Sequence, residues 1–170
     1  MRIQDFILAP KEITALGKWH CGLDGKEGRM KPGTFALSQR RSVIFGAAWR
    51  WKLDQMICAK KNVRLLIAYR ADTEQYQAML AIENEKSLTV VAALEFHGDH
   101  APHVGWHVHT RCGHVEKFTH TCTRQRVDGV RLPGARSLHR RNKFVANDAA
   151  AAQKAYDFFG IGGKQAGGLL

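Results

Sequence analysis

The sequence predicts an α+β domain: an antiparallel sheet with helices packed on one face, carrying a three-histidine site on a central hairpin. Three observations lead there. Residues 88–98, LTVVAALEFHG, are apolar and β-branched, and a short polar connection joins them to HVGWHVHTRC at 103–112, which reads as an antiparallel hairpin. Two stretches upstream place apolar residues at helical spacing. Near the C-terminus, Asn147 or Asp148 precedes AAAAQKAYDFF and Gly160 follows it, a capped helix with a glycine stop.

The elements follow in order. Residues 1–36 are turn-rich, with Gly17, Gly22, Gly25, Gly28, Pro32 and Gly33, and read as an irregular N-terminal segment. Ser38 can cap a helix running to about Lys60, with Val43, Ile44, Ala47, Ala48, Trp51 and Ile57 as its apolar stripe. VRLLIAYR at 63–70 reads as a buried strand. Asp72 or Thr73 opens a second helix to about Glu85, with Tyr76, Met79, Leu80 and Ile82 facing the core. After the hairpin, KFTHTCTRQRV at 117–127 alternates as a third strand, and residues 129–143 form an exposed basic loop. A single domain over 1–160 and a flexible tail over 161–170 complete the expectation.

Composition narrows the function. No apolar run reaches the roughly 18 residues of a membrane helix, and the start MRIQDFILAP lacks a secretory pattern. A cytoplasmic protein with reduced cysteines is expected. Lys plus Arg number 26 against 15 acids, a net charge of +11. The excess is concentrated: between Arg111 and Lys143 nine basic residues face only Glu116 and Asp128. Most of the nine are arginine, whose planar fork suits phosphate. Arg111, Arg124, Arg126, Arg136, Arg140 and Arg141 are the expected nucleic-acid contacts.

The histidines are concentrated too. Seven of nine lie between His97 and Cys122. Alternate residues of a strand share a face, so His107 and His109 present two imidazoles together. A turn centred near Pro102 sets His97 opposite His107. Three imidazoles on one sheet face make an open metal site. Asp99 can ligate or fix a histidine tautomer, and Glu95 shares the face of His97.

His97-Gly98-Asp99, Pro102-His103 and His107-Val108-His109 together resemble the metal motif of the HUH endonucleases, the superfamily of plasmid relaxases, rolling-circle replication initiators and single-tyrosine transposases. The likeness covers residues 88–112. It implies a mobile-element protein that binds single-stranded DNA and nicks it with the help of Mg or Mn. It further implies a tyrosine nucleophile, which initiators carry on a helix after the histidines; Tyr156 is the residue in that place. Asp99 would assist at the metal.

Other readings remain open. Cys112-x-His114 and His120-x-Cys122 could hold Zn, making the protein a non-enzymatic, basic nucleic-acid-binding module. The histidines could serve metal-dependent hydrolysis without a tyrosine. A small basic protein could also inhibit an acidic protein partner.

Overall fold

The computed structural model describes residues 1–22, 36–38, 41–42, 45–84, 87–98, 105–110, 114–115, 125–126 and 146–162. These build an α+β fold. Helix α1 (Ile3–Leu8) leads into β1 (Glu12–Ala15) and β2 (His20–Cys21). The pair β3 (Ala36–Ser38) and β4 (Arg41–Ser42) forms a separate two-stranded sheet, with β3 lying near the later strand that carries Glu95 and His97. Four long strands follow, β5 (Trp49–Cys58), β6 (Lys61–Arg70), β7 (Gln75–Asn84) and β8 (Ser87–His97), then β9 (Gly105–Thr110), β10 (Gln125–Arg126) and helix α2 (Asp148–Phe159). The main sheet runs β1-β5-β6-β7-β8-β9-β10, with β2 also paired to β5. Every pairing in it is antiparallel.

Two predicted helices are strands. The one expected from Ser38 to Lys60 contains β5. Its alternation was masked because two inward positions, Lys52 and Asp54, are charged yet buried, so the apolar residues alone mimic a helical stripe. The helix expected up to Glu85 is β7. This strand is buried on both sides: Tyr76, Ala78, Leu80 and Ile82 face one cluster, Met79 and Ala81 the other. A doubly buried strand loses its polar alternation, and Ala, Met, Leu, Gln and Glu favour helices locally. Cross-strand packing overrides that preference. The segment expected to be irregular over 1–36 holds α1, β1 and β2.

Both helices lie on one face of the sheet, as predicted. Phe6 and Ile7 of α1 and Ala151, Ala155, Phe158 and Phe159 of α2 pack with Leu65, Ile67, Leu80, Leu94 and Val108. Asn147 caps α2 by accepting a hydrogen bond from the Ala150 N–H at 2.8 Å, and Gly160 ends it at φ 65°. Lys11 ties the two helix ends together. Its buried ammonium donates to the carbonyls of Phe6, Ile7, Ala9 and Phe159 at 2.9, 2.9, 2.8 and 2.6 Å. On the opposite face, Phe45, Trp51, Leu66, Ala68, Met79 and Val90 form a second cluster. Among the described residues no helix is long and apolar enough to cross a membrane.

Candidate metal centre

The hairpin β8–β9 supplies the site. It lies toward one side of the sheet rather than at its centre, since only β10 follows β9 in the strand order. Strand alternation sends Leu94, Phe96, Trp106 and Val108 into the helix-side core. Glu95, His97, His107 and His109 therefore project from the other face. Trp106 packs on Phe96 and Tyr76 beneath the helices, with ring centroids 5.0 and 5.4 Å away, so it presents no stacking surface beside the histidines.

The register differs by one pair from the expected one. His97 pairs with Gly105, and Glu95 stands opposite His107. The pairing is thus symmetric about position 101 instead of 102, and a one-residue shift of that midpoint moves each partner by two. An even shift keeps every side chain on its face, so the three imidazoles still converge. What changes is the group at the middle of them.

That group is Glu95. Its Oε2 lies 3.1 Å from His107 Nε2, 3.7 Å from His109 Nε2 and 3.9 Å from His97 Nε2. The His97 and His107 rings stack at 5.0 Å and 20°, while His109 stands edge-on to His107 at 4.9 Å and 86°. The His107 and Glu95 side chains are 11% and 13% exposed, His109 is 24% and His97 34%. The cluster is closed at its base and open toward solvent at His97 and His109. The Nδ1 of His107 approaches the Gly105 carbonyl oxygen at 3.3 Å.

These residues fit a divalent cation. Ligand atoms about 2.1 Å from one tetrahedral ion stand roughly 3.4 Å apart, and the three separations from Glu95 bracket that value. Donor atoms of Glu95, His107 and His109 lie within 4.8 Å of one another. Two imidazoles and one carboxylate thus form a mixed nitrogen and oxygen set that could hold a metal ion, with His97 at its edge, 3.9 Å from Glu95. The sequence placed Glu95 on the face of His97. The missing signal was the register, which alone puts it between the imidazoles.

Tyr156 lies across the sheet from this cluster. Its Oη donates to Asp54 Oδ2 at 2.8 Å and accepts from Lys52 Nζ at 2.9 Å. Lys52 and Asp54 are paired at 3.0 Å on the helix side of β5, beside Met56 and Cys58. Burial, and then the hydrogen bond to Asp54, hold the Tyr156 hydroxyl above its ordinary pKa. The sheet does not bring Tyr156 and the histidines together. Tyr156 anchors α2 to β5 through Asp54 and Lys52, on the face opposite the histidines.

The remaining predicted residues are placed as follows. Arg126 lies in β10 and pairs with His109 across the ladder, which brings one of the expected phosphate contacts to the strand beside the cluster. Arg111, Arg124, Arg136, Arg140, Arg141 and Asp99 lie outside the described residues. So do Cys112, His120 and Cys122 of the alternative zinc set; its fourth member, His114, is exposed and bridges the backbone of Arg2. Neither Cys21 nor Cys58 forms a disulfide among the described residues, and Cys21 Sγ accepts from Arg50 Nη1 at 3.3 Å.

Comparison with protein families, with curated proteins and with solved structures finds no match to this chain.

Proposed function

We propose that the protein is a metal-dependent phosphodiesterase that binds and nicks single-stranded DNA. Glu95, His97, His107 and His109 would hold the cation. The arginine-rich chain following β9, including Arg126, would hold the phosphate backbone. A cation held there would offset charge on the scissile phosphoryl group and lower the pKa of a coordinated water. The observation that carries the reading is the convergence of three imidazole nitrogens on one carboxylate oxygen, at 3.1, 3.7 and 3.9 Å, on the face without helices. The concentration of basic residues after Thr110 supports a polyanionic substrate.

The reading differs from tyrosine-dependent strand transfer in its nucleophile. With Tyr156 bonded to Asp54 and Lys52 on the far face, attack falls to water, and the products are free ends. The test incubates tag-free protein with an end-labelled single-stranded oligonucleotide and Mn or Zn. Cleavage without covalent adduct, abolished by His107→Ala/His109→Ala and kept by Tyr156→Phe, is the expected result. A covalent adduct lost in Tyr156→Phe would overturn the choice of nucleophile. Failure of the wild-type protein to bind or cut any oligonucleotide would overturn the substrate.

A further inference from the structure

Gly105 opens β9 with φ +100°, a backbone conformation that side-chain-bearing residues rarely adopt. Space does not explain the glycine, because a Cβ built there meets nothing within 4 Å. What the position does supply is a carbonyl oxygen 3.3 Å from His107 Nδ1. A carbonyl only accepts. A neutral ring that makes this bond carries its proton on Nδ1 and keeps a lone pair on Nε2. Nε2 is the nitrogen that points at Glu95 Oε2, 3.1 Å away. In that tautomer Nε2 and the Glu95 carboxylate, 3.1 Å apart, both offer lone pairs to one ion; without an ion the same contact is a hydrogen bond donated by Nε2 to Oε2.

We infer that Gly105 is a positioning residue for the metal centre: its left-handed backbone aims a carbonyl at His107 that selects Nε2 as the ligating nitrogen. This rests on the metal reading above. Such outer contacts fix the tautomer and ring orientation of ligating histidines, and their loss typically costs 10–100-fold in affinity. The backbone conformation, rather than a side chain, performs that task here.

The test compares Gly105→Ala with Gly162→Ala. Gly162 has φ +86° and likewise nothing within 4 Å of a built Cβ, so its substitution imposes a similar torsional strain far from the histidines. Zinc affinity is measured by chelator competition, and fold integrity by circular dichroism. Gly105→Ala should weaken zinc by about tenfold or more, Gly105→Asn by less because Asn tolerates positive φ better, and Gly162→Ala not at all. Nitrogen-15 spectra of the zinc-loaded protein should show His107 protonated at Nδ1 and bound through Nε2. Equal affinities in all variants, or His107 bound through Nδ1, would overturn the inference while leaving the metal site standing. If Gly105→Ala does not fold, the wild-type spectrum and Gly105→Asn still decide it. A wild-type protein that binds no zinc would refute the metal reading on which it rests.

Discussion

Replacing Asp54 by alanine should remove a large share of the stability of this fold. Asp54 is completely buried. Its Oδ1 accepts from the Gly17 N–H at 2.9 Å and pairs with Lys52 Nζ at 3.0 Å, while Oδ2 accepts from Tyr156 Oη at 2.8 Å. The alanine leaves the Lys52 ammonium, 7% exposed, with the Tyr156 oxygen, the faces of the Trp19 and Tyr156 rings and the more distant charge of Asp148 among the described residues. Stripping one partner from a buried ion pair costs about 3–5 kcal/mol, against a total of roughly 5–15 kcal/mol for a domain. Removing both charges is a different perturbation. Lys52→Met with Asp54→Leu eliminates the desolvation of two ions together, so the double variant should recover at least half of the loss. Urea unfolding followed by circular dichroism gives the three values by linear extrapolation. An Asp54→Ala cost below about 1 kcal/mol, or a double variant that recovers less than half of that loss, would refute the reasoning.

Other expectations follow from the same geometry. Tyr156→Phe removes one hydrogen bond to each of Lys52 and Asp54; it should cost about 1–3 kcal/mol by urea unfolding and leave nicking unchanged. Lys11→Met leaves buried carbonyls at both helix ends without their donor, and should cost about 2–4 kcal/mol at pH 7. Burial pushes the Lys11 ammonium from its ordinary 10.5 down to about 8. Above pH 8 the unfolded chain therefore binds more protons than the folded one, so stability should rise with pH, relative to Lys11→Met, by up to about 1.4 kcal/mol per pH unit. A wild-type profile parallel to that of Lys11→Met between pH 8 and 9.5 would contradict this.

Much of the fold is legible in the sequence where local chemistry and packing agree. Asn147 and Gly160 mark α2 because a cap and a left-handed stop have few alternatives. The strands β6 and β8 and the hairpin to β9 are legible because β-branched runs surround short polar connections. β5 and β7 are not, for opposite reasons. In β5 the inward positions include Lys52 and Asp54, charges that only the folded network satisfies. In β7 both faces are covered, so no polar alternation survives. The site divides in the same way. His107-x-His109 is visible as two imidazoles on one strand face, and His97 as a third on its neighbour. The central place of Glu95 depends on where the turn between His97 and Gly105 is centred, which no local pattern fixes. The face on which Tyr156 lies depends on where α2 docks, a tertiary property.

The central claim is that Glu95 and the three histidines hold a cation. Metal content, measured on tag-free protein before and after loading with Zn or Mn and removal of excess ion, tests it most directly. One equivalent in the wild-type protein, lost in His107→Ala/His109→Ala, reduced in Glu95→Gln and retained in Cys112→Ser/Cys122→Ser, is the predicted result. No bound metal after loading, or metal kept by the histidine variant and lost with the cysteine pair, would contradict it.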